Sequence, residues 1–142
     1  MNGADCPFCN ILASRPEEIH FKTNRFFAFT PLFPINVGHI LVVPKRHIVD
    51  LFSLNTRESR DLRNALSAGK SFLDEHFRPD GHNLGVNSGV AAGQSVFHLH
   101  FHLIPRFTGD VPDPYGGIIR GLMQGYKNSP RPSQLPELDG SS

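Results

Sequence analysis

Three histidines alternate with apolar residues in HLHFHLI, residues 98–104. A period of two is typical of a β-strand, in which residues i, i+2 and i+4 share one face. The segment therefore predicts a strand that projects His98, His100 and His102 to one side, with neighbours about 7 Å apart. Because imidazole changes its charge near neutral pH, three imidazoles in register favour a functional site over a packed core.

Two kinds of chemistry suit this segment. His-x-His on a strand can chelate zinc or iron, whereas an imidazole can also act directly as a nucleophile or as an acid and base. A metal-hydroxide mechanism is helped by a carboxylate base, but no Asp or Glu occurs between Gly81 and Thr108. The sequence thus favours direct imidazole chemistry, and a histidine-rich strand edge facing water is the plain structural alternative.

A loop of small residues, 88–95, precedes the histidines. Gly93, Gln94 and Ser95 offer backbone N–H groups, an amide and a hydroxyl. Small residues let the backbone approach a ligand closely, and clustered N–H groups bind anions. The loop predicts a phosphate held against a histidine nucleophile, and an ordinary flexible loop is the alternative.

Cys6 and Cys9 are the only cysteines, and they are three residues apart. They can supply two thiolates from one turn to a zinc ion, and a closed tetrahedral site must then take histidines, for which His47 and His98 are the candidates. A redox dithiol is a second interpretation, but such motifs normally follow a strand and only five residues precede Cys6. A free, partly buried pair is the third.

The composition is ordinary for one globular domain of 142 residues, with 39% hydrophobic and 19% charged residues. Fourteen Lys and Arg against 13 Asp and Glu give a net charge of +1, which favours neither a nucleic acid polymer nor a membrane surface as partner. No apolar run approaches the roughly 20 residues of a membrane span. The N-terminal residues lack an export signal, so a cytoplasmic location is expected.

The periodicity predicts a sheet with two helices. A short helix spans Pro7 to about Ala13, with Asp5 as a candidate cap. A long amphipathic helix runs from about Thr56 to Phe77, and Asn55 or Thr56 can cap it. Strands are predicted at 19–21, 26–29, 39–43, 83–87 and 98–104. One long helix over several antiparallel strands gives an α+β class.

Three segments resemble landmarks of the histidine triad (HIT) superfamily. Residues 93–106 match its signature of alternating histidines, and residues 38–47, GHILVVPKRH, look like its second landmark. Cys6 and Cys9 resemble the N-terminal zinc half-site of many bacterial members. The resemblance covers about residues 5–110 and predicts a HIT domain over 1–110, which leaves a C-terminal extension over 111–128. Three prolines in 129–142 predict a disordered tail there. It implies a five-stranded antiparallel sheet, one long helix, a short N-terminal helix and a homodimer.

The resemblance also implies a reaction at the α-phosphorus of a nucleotide. His100 would be the nucleophile that forms a nucleotidyl-histidine, with His102 and His39 in support. The residues that match or could replace substrate-contacting positions are Asn87, Gln94, Ser95 and Asn36. A structural zinc ion would be held by Cys6, Cys9, His47 and His98.

The resemblance favours a hydrolase of dinucleoside polyphosphates or nucleoside phosphoramidates. The alternatives are a nucleotidyl transferase or phosphorylase of the same superfamily, and a nucleotide-binding regulatory module with little turnover. One position departs from relatives: Pro31 stands where Asp or Asn often binds the ribose, so Thr30 or Asn36 is a candidate replacement. Phe8, Phe33 and Ile35 are candidates for packing the base, although core packing is the expected role of each.

Overall fold

The structure is a computed structural model that describes residues 5–119. It contains a five-stranded antiparallel sheet in the order β1-β2-β3-β5-β4. The strands are β1 Ile19–Lys22, β2 Phe26–Phe29, β3 Ile40–Pro44, β4 Gly81–Val86 and β5 Phe101–Arg106. The two α-helices are α1 Pro7–Ser14 and α2 Thr56–Phe77. The predicted α+β fold is confirmed.

Helix α2 begins and ends with defined caps. The side chain of Asn55 accepts a hydrogen bond from the Glu58 N–H at 2.8 Å, and Glu58 Oε1 accepts one from the Asn55 N–H at 3.0 Å. This reciprocal capping box satisfies backbone donors that the helix leaves unpaired. At the other end Arg78 takes a left-handed conformation, with φ 49°. Of the two predicted cap candidates, Asn55 is the cap and Thr56 is the first residue of the helix.

The sheet is covered on both faces. Helix α2 packs on one face over a core that includes Phe26, Ile40, Val42 and Leu103. A Cβ added at Gly69 would lie 2.9 Å from Leu103 Cδ2, so the absence of a side chain there sets how closely the helix approaches β5. Helix α1 packs on the other face, over a second cluster of buried residues: Phe27, Phe29, Leu41 and Val43.

The histidine strand begins later than predicted. β5 begins at Phe101, so His98 and His100 precede it and only His102 lies within it. Its neighbour β3 ends at Pro44, which has no N–H to continue the ladder. The preceding segment is held instead by an isolated bond from the Leu99 N–H to the Ile48 carbonyl, 2.7 Å.

Three smaller predictions are wrong. Asp5 does not cap α1, because Cys6 is the residue at that position and no side-chain capping bond forms. Phe33 and Ile35 are not in the core, since they are 82% and 71% exposed. Both lie in the loop between β2 and β3, residues 31–38, which we call the apolar loop.

The chain divides into two units, Met1–Asp110 and Val111–Ser142. Of the second unit the structure describes 111–119, which contain one turn of 3₁₀ helix at Gly117–Ile119. The predicted tail, 129–142, lies outside the described residues, and the predicted domain boundaries remain predictions. Over 5–119, no helix is long and apolar enough to cross a membrane.

Candidate active site and metal centre

Cys6, Cys9, His47 and His98 converge as predicted, and we call them the metal cluster. One ligand atom from each lies within 4.8 Å of all the others. Cys6 Sγ is 3.4 Å from His98 Nδ1, Cys9 Sγ is 3.4 Å from His47 Nδ1, and the two Nδ1 atoms are 3.2 Å apart. Helix α1 supplies Cys9 and begins directly after Cys6, while both histidines come from irregular segments that follow β3 and precede β5.

These distances fit a zinc ion. Zinc bonded at about 2.0–2.3 Å to two nitrogens and two sulfurs places neighbouring ligand atoms about 3.3–3.8 Å apart in a tetrahedron. The cluster shows 3.2–3.6 Å for the four contacts that join His98 or His47 to another member. Four protein ligands leave no open position, which is typical of a structural site.

The protonation of the cluster also suits a metal. His98 Nε2 lies 2.8 Å from the Pro44 carbonyl oxygen, which can only accept, so Nε2 carries the proton and Nδ1 presents its lone pair to the cluster. Burial lowers the pKa of His98 to about 4, which keeps this ring neutral. Burial, aided by Cys6, raises the pKa of the Cys9 thiol to about 11; a bound cation would favour the thiolate instead.

His100 is held in one tautomer. Its Nδ1 lies 2.8 Å from the carbonyl oxygen of His98, so Nδ1 carries the proton and donates it. Burial lowers the pKa of the His100 imidazole, which favours the neutral ring. Nε2 therefore carries a free lone pair, which is the form that a nucleophile needs. The Phe8 ring lies edge-on to both His98 and His100, with centroid distances of 5.8 and 5.3 Å.

His39 and His102 form a second directed pair. The Ile35 N–H donates to His39 Nδ1 at 3.1 Å, so the proton of this ring is on Nε2. That Nε2 lies 3.0 Å from His102 Nδ1 and donates to it. The proton of the His102 ring is therefore on Nε2, and burial, with the nearby His100 and His39, lowers its pKa to about 4.

His100 and His102 thus present complementary groups. The ring centroids of His100 and His102 lie 5.1 Å apart, which is closer than the predicted strand spacing. One ring offers a nucleophilic lone pair and its neighbour offers an N–H donor. Such a pair can attack an electrophilic centre and stabilise the charge that develops on its oxygens. His98, in contrast, turns its ring to the metal cluster.

Gln94 organises the small-residue loop from within. It is 4% exposed, and its Oε1 accepts from the Gly89 N–H at 2.9 Å. Its Nε2 donates to the carbonyls of Val49 and Val96, at 2.8 and 3.2 Å. Both amide protons of Gln94 are used within the protein. Gln94 would therefore affect ligand binding indirectly, by fixing the conformation of the loop backbone.

Ser95 and Asn87 have uncommitted side chains. Ser95 is exposed and Asn87 is half-buried, just beyond the end of β4. Neither side chain has a hydrogen-bond partner within residues 5–119. Both are therefore available to a ligand, and their predicted substrate-binding role stays a prediction.

Asn36 and Thr30 are bonded within the protein. Asn36 Nδ2 donates to the Pro105 carbonyl at 3.1 Å and to Asp110 Oδ2 at 3.0 Å, and its Oδ1 accepts from the Val37 N–H. Thr30 Oγ1 lies 2.7 Å from His20 Nε2. Substrate binding by Asn36 stays a prediction, but its side chain already has a structural role that sequence analysis missed.

Known proteins are similar in sequence to this chain. The family model described as HIT domain matches residues 13–109. Protein hit of Bacillus subtilis is 30% identical over 138 residues, which cover 96% of this chain and 91% of that protein. A bis(5'-adenosyl)-triphosphatase of Dictyostelium discoideum is 40% identical over 92 residues, 65% of this chain and 62% of that protein.

The likeness extends to solved structures. A Zn-bound histidine triad family protein from Mycobacterium smegmatis superposes with a TM-score of 0.69 at 28% identity, covering 89% of this chain and 99% of that one. The family model spans more than half of the chain. The chain belongs to the HIT family.

Proposed function

We propose that the protein is a nucleotide hydrolase that cleaves at the α-phosphorus of dinucleoside polyphosphates or nucleoside phosphoramidates. The observation that carries this proposal is the bond from His100 Nδ1 to the His98 carbonyl, 2.8 Å. It leaves Nε2 of a buried, neutral imidazole as a directed nucleophile. Relatives such as the bis(5'-adenosyl)-triphosphatase support the substrate class.

The reaction divides into two displacements. Nε2 of His100 attacks the α-phosphorus and a P–N bond forms, while the bond to the leaving group breaks and its electron pair departs with that group. The His102 Nε2–H donates to a phosphoryl oxygen or to the leaving group. Water then attacks the phosphorus, the P–N bond breaks, and neutral His100 is restored as the nucleoside monophosphate and a proton leave.

The apolar loop supports recognition of a nucleobase. Leu32, Phe33 and Ile35 are 86%, 82% and 71% exposed, and the loop leads directly into His39. Exposed apolar side chains next to a reactive centre provide a surface for an aromatic ring. Ser95 and Asn87 would bind the phosphates, together with the backbone of the small-residue loop.

We also propose that the metal cluster holds a structural zinc ion. Bound there, zinc would cross-link α1 to the segments after β3 and before β5. The thiolates must stay unoxidised, so a reducing, cytoplasmic environment suits the site.

A homodimer is the expected assembly, and we propose that it forms through β4 and α2. β4 lies at one edge of the sheet, and its Leu84 is 48% exposed. A groove of about 510 Å³ between β4 and α2 is lined in part by Leu62, Leu66, Leu84 and Leu103. A second copy related by a two-fold axis would pair its own β4 edge with this one and cover the groove.

Mass spectrometry tests the proposed reaction. The full chain is mixed briefly with diadenosine triphosphate and quenched, and we expect an added nucleoside monophosphate on the peptide that contains His100. Absence of an adduct despite bound nucleotide would favour the regulatory module. Conversion of the donor into two nucleoside diphosphates, with no nucleoside monophosphate, when inorganic phosphate is present would favour the phosphorylase.

A further inference from the structure

We propose that Arg106 and Asp110 are positioning residues of the site. They hold Asn36, and through it the apolar loop, so that the ring of His39 stays in one orientation. The consequence for turnover rests on the proposed function, whereas the positioning of His39 does not.

Asp110 is fixed by the end of β5. Arg106 donates from Nε to Asp110 Oδ2 and from its Nη2 to Oδ1, both at 2.8 Å, which is the paired geometry that guanidinium and carboxylate favour. Its Nη1 donates to Asn83 Oδ1 on β4, also at 2.8 Å. The Phe107 N–H adds a bond to Asp110 Oδ2 at 3.0 Å. The carboxylate is therefore held from several directions by strands that are themselves paired.

This fixed carboxylate holds the apolar loop through one side chain. Asn36 Nδ2 donates to Asp110 Oδ2 at 3.0 Å and to the Pro105 carbonyl at 3.1 Å. Its Oδ1 accepts from the Val37 N–H at 3.0 Å. The loop is thereby joined to β5 and to the turn after it.

Asn36 in turn lies between the two bonds that fix His39. The His39 N–H donates to the Asn36 carbonyl at 3.2 Å, and the Ile35 N–H donates to His39 Nδ1 at 3.1 Å. The second bond sets which ring nitrogen faces His102. A displacement of Asn36 would therefore change the donor that selects the tautomer of His39.

The apolar loop depends on these polar bonds because its side chains are not buried. Leu32, Phe33, Ile35 and Val37 are between 66% and 86% exposed. A segment with little buried apolar surface opens easily unless hydrogen bonds retain it. The clamp formed by Arg106, Asp110 and Asn36 compensates for that missing burial.

Hydrogen exchange and histidine ring ¹⁵N spectra of the full, zinc-loaded chain test the proposal. We expect Asp110→Asn to speed exchange of the Ile35 and His39 amides about tenfold and to give His39 a mixture of tautomers. Asn36→Ala should do the same, and it serves if the first variant fails to fold. The matched control is Asp80→Asn, since Asp80 accepts from the Thr108 N–H in the same turn but does not contact Asn36.

Turnover provides a further readout. In Asp110→Asn, kcat should fall about tenfold. Arg106→Lys keeps the positive charge but loses the paired guanidinium N–H donors, so its kcat should lie between those of wild type and Asp110→Asn. Wild-type exchange and ring signals in Asp110→Asn and Asn36→Ala would overturn the proposal, as would equal acceleration in Asp80→Asn. If the wild-type chain shows no turnover, the proposed function fails, while the exchange and ring data still decide the positioning.

Discussion

A histidine side chain takes its role from the partner of one ring nitrogen. His98 donates from Nε2 to a carbonyl and turns Nδ1 to the metal cluster. His100 donates from Nδ1 to a carbonyl and keeps Nε2 free. His102 accepts at Nδ1 and keeps an N–H at Nε2. Three identical side chains are thus directed to the proposed roles of ligand, nucleophile and donor, the first two by backbone carbonyls and the third by the His39 side chain.

His100→Ala tests the nucleophile. We expect single-turnover formation of nucleoside monophosphate to fall about a thousandfold or more, because no other described group presents a lone pair there. Circular dichroism and nucleotide binding should remain close to wild type. The matched control is His76→Ala, whose ring bonds to the Phe72 carbonyl within α2. Turnover at the wild-type rate in His100→Ala would rule out the assignment.

Gln94→Glu tests the role of the buried amide. The change keeps the shape but replaces two N–H donors with an oxygen that faces the carbonyls of Val49 and Val96. We expect the free energy of unfolding to fall by about 1–3 kcal/mol, because a buried acceptor without a donor is costly. Chemical denaturation measures this, with the exposed neighbour substitution Ser95→Ala as control. Unchanged stability would show that the amide bonds are dispensable.

The sequence predicts which residues form the site better than it predicts the hydrogen bonds that hold them. Cys6 and Cys9, with His47 and His98 as candidate partners, indicate a metal cluster as one of three interpretations, beside a redox dithiol and a free pair. Nothing local indicated that Asn36 would bond to Asp110, because the two residues are far apart in sequence. A contact of that kind depends on the final packing of β5 against the apolar loop.

At the scale of single elements, α2 was the most predictable part of the chain. Its apolar stripe and its Asn55 cap are local signals, and both ends agree within one residue with the structure. The strand of histidines was less predictable, because a strand needs a neighbour. Alternation extends from His98, but the last pair between β3 and β5 joins Val42 to Phe101. Pro44, two residues further along β3, has no N–H to continue the ladder.

Glu58→Gln tests the start of α2. Glu58 is 2% exposed and accepts from the Arg46 guanidinium at 2.7 and 3.1 Å. The glutamine keeps an oxygen for the Asn55 N–H but loses the charge, so we expect a loss of about 1–3 kcal/mol at pH 7. Thermal unfolding measures it, with Glu75→Gln on the exposed face of α2 as control. Equal stability of the two variants would contradict the role of the pair.

The ion pair of Glu58 and Arg46 also makes the free energy of unfolding depend on pH. The bond with Arg46 holds the pKa of Glu58 below its ordinary value of 4.5. The contribution of this pair to stability is therefore complete when the pH is above the pKa of Glu58 in the unfolded chain. It is lost as the pH falls through the lower pKa of Glu58 in the folded protein. We expect the stability difference between wild type and Glu58→Gln to shrink below about pH 4.5. Denaturation curves between pH 3 and 7 would show it, and a constant difference would contradict the assignment.

At the scale of the whole molecule, the metal cluster joins parts of the chain that are far apart in sequence. We expect about one zinc per chain, and a loss of about several kcal/mol of unfolding free energy on chelation, because binding energy of a structural metal is folding energy. Cys9→Ser should lower both zinc content and stability, whereas Asn10→Ser on the exposed side of α1 should change neither. Full zinc content in Cys9→Ser would contradict the ligand set.

A substitution in the edge strand β4 tests the expected homodimer. Leu84→Lys would place a charge at the centre of the proposed β4 interface, so we expect light scattering to show a monomer where wild type shows a dimer. Phe52→Lys changes an apolar residue that is 84% exposed and lies outside the groove, and it should not change the mass. A dimer that persists in Leu84→Lys would place the interface elsewhere.

His98 has a consequence for genetics. Its side chain serves the metal cluster, while its carbonyl oxygen selects the tautomer of His100. Every substitution at position 98 removes the ring and leaves the carbonyl in place, so mutagenesis reports only one of the two roles. Side-chain substitution cannot test the role of the His98 carbonyl. A backbone replacement that alters this carbonyl, an amide-to-ester or a thioamide, is needed to reveal it.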